Sequence, residues 1–330
     1  MAERGPMRAA SLTGIAMLLF SVGCVARLAP PAPNEARAES ARGLYTAAAL
    51  SDAREMVERV LRISGRLRAA GAPLCGDEVA PLLGINVAQR IAGPEIGHFQ
   101  EAYLRTFEVG SAVTVTIIDP ASPAARAGVH TGDRILSVNG RRAREYSDVF
   151  EILRDEPDRP PRLRVQREGE ILELEIERVP ACAYEVWVDW TSEITTRRRK
   201  HDHAGISVGM IRFVESDDEL AAVIAHELAH RILGGRDGSY PKNEVRADEI
   251  GLYLAARAGF DETAATSFWE RFALEKPWMI RWEPDSKRAK EPPHARVAER
   301  LLAMRTFLTQ IARLRAEGRP LLVSAGDARP

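Results

Sequence analysis

Ser216-Asp217-Asp218-Glu219-Leu220-Ala221-Ala222-Val223-Ile224-Ala225-His226-Glu227-Leu228-Ala229-His230 begins as a helix start and ends as a metal-ligand pattern. Ser216 with Glu219 three residues on is a capping-box signature. Leu220, Val223, Ile224, Leu228 and Ile232 recur at helical spacing, and Gly234-Gly235 stops the run. The pattern predicts a helix over 217–233. His226 and His230 lie one turn apart on one face, so both rings reach a single metal ion. Glu227 projects about 100° around the axis, beside that ion, where a base for an activated water belongs. Burying these three side chains for packing alone would require several hydrogen-bond partners, which disfavours a plain core helix.

The next segment strengthens the metal reading. After Pro241, Asn243-Glu244-Val245-Arg246-Ala247-Asp248 opens a helix predicted over 243–258. Glu244 and Asp248 share one face, continued by the small residues Ala247, Gly251 and Ala255, which permit close approach to the first helix. Glu244 then completes a His₂Glu site for one zinc ion with a position open for water. Asp248 is placed to accept a hydrogen bond from the far nitrogen of His226. The competing reading is a solvated acidic face at a helix N-terminus. A third helix is expected over 295–317.

Upstream, residues 44–70 read as a helix with Met56, Val60, Leu61 and Leu67 on one side, ended by Gly71 and Pro73. Residues 80–180 carry short strands and turns. They include Val113–Ile118, the Asn139-Gly140 hairpin signal, and strands at Leu163–Val165 and Ile171–Ile176 about Glu168-Gly169. A short helix is expected over 147–154. Cys182–Trp190 reads as a strand, and Arg197-Arg198-Arg199-Lys200 as a solvated loop, with anionic head groups as its alternative partner. Gly205–Ile211 reads as an edge strand aligning an extended peptide through Ile206 and Val208. His201 and His203 read as a polar loop rather than a second metal site.

Two stretches resemble known families. Ser122–Gly140, SPAARAGVHTGDRILSVNG, is similar to PDZ domains of the bacterial protease-associated type. The resemblance implies a loop whose backbone N–H groups receive a peptide C-terminal carboxylate, the peptide then adding as a strand. Leu83-Gly84-Ile85 is the matching loop. A non-binding spacer is the alternative, and Ala88–Gly110 is longer than a compact PDZ domain needs. SDDELAAVIAHELAH with NEVRADEIGLYLAARAGFD resembles the gluzincin metallopeptidases that include HtpX and the CAAX prenyl endopeptidases, in particular exported, lipid-anchored members. The resemblance implies that His294 and Arg300 face the zinc and hold substrate or the oxyanion. Ala295 stands where the family commonly has proline.

Composition bounds the rest. The chain has 330 residues, long enough for two domains, with 46 Lys+Arg against 47 Asp+Glu and 6% aromatics. That balance argues against nucleic acid as a partner. Arg4 and Arg8 precede an apolar run from Ala9 to Val22, which reads as an export signal, a single spanning anchor being the alternative. Phe20-Ser21-Val22-Gly23-Cys24 resembles a lipobox, with Ser21 in place of the usual leucine, which implies lipidation at Cys24. In an oxidising compartment Cys75 and Cys182 are then expected to pair, two buried thiols being the alternative.

The expected architecture is α+β. A mainly helical HExxH zinc-metallopeptidase domain with a small sheet is interrupted by a β-rich PDZ domain. The boundaries are a signal peptide at 1–23, a linker at 24–43, peptidase segments at 44–80 and 180–318, the PDZ domain at 81–179 and a tail at 319–330. The expected function is a zinc endopeptidase of the bacterial envelope, lipid-anchored to the inner or outer membrane on the periplasmic side. Its substrates are unfolded or misassembled proteins, with peptide C-termini recruited by the PDZ domain. An envelope scaffold or chaperone with a non-cleaving metal site is the alternative, and a hydrolase of non-peptide substrates ranks last.

Overall fold

The computed structural model describes residues 35–90, 103–199, 203–234, 241–276 and 297–321. The expected signal peptide, Cys24, His201, His294 and the tail from residue 322 lie outside the described residues. The chain forms two units, 1–43 and 44–330. In the first, residues 35–43, expected as a tether, belong to helix α1 (Glu35–Gly71). Ala53, Met56, Val60, Ile63 and Leu67 of α1 are buried, alternating three and four residues apart, so one stripe packs on the core. No helix among the described residues is long and apolar enough to cross a membrane.

A β-rich domain is inserted after α1. Strand β1 (Val79–Pro81) pairs antiparallel with β8 (Pro180–Cys182), closing the base of the insertion. A disulfide joins Cys75 to Cys182 across that base, with Cα atoms 5.7 Å apart. Arg68 ties the same point to α1, donating to the Cys182 carbonyl at 2.9 Å and to both oxygens of Glu185 at 2.9 and 3.0 Å.

Within the insertion a six-stranded sheet contains β2 (Ile85–Ala88), β3 (Val113–Ile118), β4 (Arg134–Val138), β6 (Arg162–Arg167) and β7 (Glu170–Glu175) in that order, with β5 (Arg141–Arg142) on β4. Its register sets Val113 opposite Ile135, Ile135 opposite Val165 and Leu163 opposite Leu174, gathering the apolar alternates. Helices α2 (Pro123–Arg126) and α3 (Tyr146–Asp155) bring in Ala124, Val149, Ile152 and Leu153. β2 is an edge strand preceded by the Leu83-Gly84-Ile85 loop. Gly84 has φ +72°, and a β-carbon there would collide with Ser122, so the loop requires glycine. The long Ala88–Gly110 connection has a packing role where it is described. Tyr103, Leu104 and Phe107 form a cluster with Val57 and Leu61 of α1.

The remainder is mainly helical. Strands β9 (Glu185–Asp189), β10 (Thr196–Arg199) and β11 (His203–Ser207) form a sheet in the order β10-β11-β9. Two expectations fail here. Arg197–Arg199 of the basic run lie in a strand rather than a loop, and β11 is central rather than an edge in the described sheet. Ile206 is fully buried between its neighbours, and Val208 opens helix α4 (Val208–Phe213), so neither can align a peptide by edge pairing. Ser207 causes the change of direction, since its hydroxyl accepts from Met210 N–H as an N-cap. Helices α5 (Asp217–Ile232), α6 (Pro241–Arg257), α7 (Ala264–Glu275) and α8 (Val297–Ala316) follow. α7 was not expected, although Ala265, Phe268, Trp269, Phe272 and Ala273 carry helical spacing and are buried.

Candidate metal centre

Helix α5 starts as its sequence dictates. Ser216 Oγ accepts from Glu219 N–H at 3.1 Å, and Glu219 Oε2 reaches back to Glu215 N–H at 2.7 Å. Arg271 of α7 holds the same carboxylate at 2.6 and 2.7 Å. α6 lies against α5 at close range because Gly251 faces the backbone of Ala225 and His226. A β-carbon at Gly251 would sit 3.1 Å from the His226 nitrogen. Ala247, fully buried, continues that contact.

This packing brings His226, His230 and Glu244 together, all buried. The two Nε2 atoms are 3.1 Å apart. Glu244 Oε2 lies 3.3 Å from His226 Nε2, and Oε1 lies 3.4 Å from His230 Nε2. A tetrahedral zinc with bonds of about 2.0–2.1 Å spaces its ligand atoms roughly 3.3–3.4 Å apart, so two imidazoles and one carboxylate here fit that ion. Charge points the same way. Glu227, Glu244 and Asp248 are buried carboxylates, and Arg300 is the buried guanidinium among them. With neutral imidazoles the cluster carries two uncompensated negative charges, which a dication cancels.

A second layer backs the ligands. His226 Nδ1 lies 2.8 Å from Asp248 Oδ1, which orients the ring with Nε2 toward Glu244 and His230. Arg300 Nε and Nη2 each donate to Asp248 at 2.6 Å. Nη1 lies 3.6 Å from Glu244 Oε2. The guanidinium also stacks 3.9 Å from the ring centroid of Trp269, whose ring lies 5.5 Å from that of His226. Burial favours the neutral acid of Asp248, but Arg300 outweighs it and holds the carboxyl below its usual range. Burial also disfavours the imidazolium of His226. Its hydrogen bonds to Asp248 and Glu244 win, pushing its pKa up to about 9 in the metal-free site.

Arg300, expected to face the zinc and hold substrate or the oxyanion, is 2% exposed and is engaged by Asp248, with Glu244 next to it. Trp269 was missed because α7 was missed. A further unforeseen contact involves Glu227, whose Oε1 accepts from the Thr196 hydroxyl at 2.7 Å. Thr196 begins β10, which therefore borders the site from the sheet side.

Comparisons with known proteins fall on both halves. Residues 198–235 match the model of Peptidase family M48, and residues 114–167 match that of the PDZ domain. The first stretch contains His226, Glu227 and His230 but ends before Glu244. A protein of Rhizobium meliloti named as a zinc metalloprotease is 37% identical over 60 residues, 18% of this chain and 16% of that one. A protein of Enterococcus faecalis named as the protease eep is 30% identical over 73 residues, 22% of this chain and 16% of that one. The chain thus spans 16% of the length of each of these curated relatives. Among solved structures, the chain is similar to the HtrA3 PDZ domain bound to a phage-derived ligand. Identity is 25%, over 31% of this chain and 88% of that one, with a TM-score of 0.25. It is also similar to the HtrA-type protease AlgW with a decapeptide. There identity is 22%, over 30% of this chain and 29% of that one, with a TM-score of 0.24.

Proposed function

We propose that the chain is a zinc-dependent endopeptidase of the HtpX and CAAX prenyl endopeptidase branch, with a PDZ domain that recruits or gates polypeptide substrates. One observation carries the reading. His226 and His230 present two ring nitrogens 3.1 Å apart, and the two oxygens of Glu244 lie 3.3 and 3.4 Å from them, in a cluster that with neutral imidazoles is short of two positive charges, with Glu227 next to the first ligand. Zinc bound there supplies a Lewis acid for the scissile carbonyl and lowers the pKa of water. Asp248 keeps the His226 Nε2 lone pair directed at the ion. Glu227 takes the proton of the attacking water and passes it to the leaving amine. Thr196 steadies the Glu227 carboxylate through Oε1.

Because β11 is enclosed, β10 takes the aligning role. Among the described residues no strand pairs with its outer side, and an extended peptide pairing there would pass Glu227. In the PDZ domain the β2 edge and the Leu83-Gly84-Ile85 loop are the place for a peptide C-terminus. The Gly84 carbonyl accepts from Asp119 N–H and that of Leu83 from Ala124 N–H, so both carbonyls turn into the domain. The compartment belongs to the same proposal: export, lipidation at Cys24 and action on misassembled envelope proteins.

The test is cleavage of casein by the full-length chain, before and after metal removal and after restoring zinc. The reading requires activity that is lost with the metal and regained with it. Activity unaffected by complete zinc removal contradicts it.

A further inference from the structure

We propose that the cleft beside β4 and β5 of the PDZ domain is an anion site that takes a phosphate monoester, carried either by a lipid head group or by a soluble compound. The inference is independent of the endopeptidase reading and uses none of the residues of the metal cluster. The cleft has a volume of about 570 Å³, within the usual range for small-ligand sites. The strand register builds it. Ser137 of β4 stands opposite Arg142 of β5 on one side and opposite Arg164 of β6 on the other. Antiparallel partners share a face of the sheet, so the two arginines flank one serine. Arg144 lines the same cleft. Its N–H donates to Asp148 Oδ2 at 2.6 Å and its carbonyl accepts from Gln89 Nε2 at 2.7 Å, so its backbone is held on both sides. The same Nε2 donates to the carbonyl of Ser111, another lining residue, at 2.8 Å, which ties two stretches of the rim together.

Charge pairing sets these arginines apart from others in the same domain. Arg126, Arg141, Arg162 and Arg167 each meet a carboxylate within 3.0 Å. Among the described residues, no hydrogen bond or ion pair engages the side chains of Arg142, Arg144 and Arg164 or the Ser137 hydroxyl. The nearby acids are committed or out of reach. Asp148 accepts from the Arg144 and Glu145 N–H groups at the start of α3, and Glu173, opposite Arg164 in β7, makes no ion pair with it. No acidic residue lines the cleft among the described residues. Three guanidinium ions therefore border one concavity without a counter-charge, and like charges so placed cost stability until an anion answers them. Guanidinium forks suit carboxylate and phosphate alike, and the number of acceptors decides between the two. A carboxylate brings a single charge and a pair of oxygens. A phosphate monoester brings about two charges and three strong acceptor oxygens, which the three forks and the hydroxyl can share.

The test uses the full-length chain with two probes: glycerol 3-phosphate in solution, and vesicles of phosphatidylcholine with or without phosphatidic acid. Calorimetry should show glycerol 3-phosphate binding that weakens about 100-fold in the Arg142→Gln, Arg144→Gln, Arg164→Gln triple variant. Arg141→Gln removes an adjacent arginine already paired with Asp155 and should change affinity by less than about twofold. Dimethyl phosphate and a Glu-Glu peptide should bind about tenfold or more weakly than glycerol 3-phosphate. The triple variant breaks no polar contact of the folded chain, so its urea unfolding should match the native chain, which separates lost binding from lost fold. Vesicle binding that rises with phosphatidic acid and disappears in the triple variant assigns the site to a lipid. Binding of glycerol 3-phosphate without that rise assigns it to a soluble ester. Failure of both probes to bind, or binding unchanged in the triple variant, overturns the proposal. A Glu-Glu peptide held as tightly as glycerol 3-phosphate overturns the phosphate class.

Discussion

Replacing Arg300 separates two roles for this residue. The guanidinium makes two bonds of 2.6 Å to Asp248, lies 3.6 Å from Glu244 and stacks 3.9 Å from Trp269, at 2% exposure. Arg300→Met keeps much of the volume and removes every charge-assisted contact. Asp248, itself buried, then loses its guanidinium and keeps only the His226 ring as a charged partner. Breaking one side of such a buried pair costs about 3–5 kcal/mol. Metal-free Arg300→Met protein should therefore unfold in urea with that loss. Asp248, no longer held ionised, becomes a poor acceptor for His226, and zinc affinity should drop about 10- to 100-fold in a chelator competition. Arg300→Lys keeps the charge without the two-pronged geometry and should fall between. A residue that instead touched substrate in the cleft would raise KM and leave stability and zinc affinity alone. Unfolding within about 1 kcal/mol of the native chain, with unchanged zinc affinity, would refute the placement of Arg300 behind the ligands.

Other outcomes follow from the same geometry. Gly251→Val should destabilise by about 1–3 kcal/mol or more, because its first carbon already meets the α5 backbone at 3.1 Å, and denaturant unfolding measures it. Cys75→Ser with Cys182→Ser should cost about 2–5 kcal/mol, since the disulfide closes a loop with a sequence separation of 107, and unfolding under non-reducing conditions checks this. In the metal-free chain His226 has a pKa raised to about 9, above its unfolded value, so its protonated form contributes stability below about pH 6.5 that is lost as pH rises through 9. Zinc must displace that proton. Titration calorimetry in buffers of different ionisation enthalpy should show about one proton released from His226 at neutral pH, and apparent affinity should fall about tenfold per unit of acidification below 8. Affinity that does not change between pH 6 and 8 would count against it.

The helical half was largely legible because its chemistry is local. His226, Glu227 and His230 lie in one turn, Glu244 and Asp248 in another, and Ala247 and Gly251 announce the close helix pair. The edge strand was not legible. A strand's rank in a sheet depends on which partners flank it, and Thr196–Arg199, which pairs with His203–Ser207, carries a basic run whose polarity reads as solvated loop. Arg300 was singled out by the family resemblance, but its side depends on how α8 packs. Its contact with Asp248 spans 52 residues. Trp269 had only the periodicity of α7 to reveal it, without a side-chain cap bond at Thr263 to mark the start.

The most direct test measures zinc content and casein cleavage on the same preparations of the native chain and of Glu227→Gln. The account predicts one zinc per chain in both and cleavage only in the native chain. Cleavage by Glu227→Gln, or a folded native chain that binds no zinc, would contradict it.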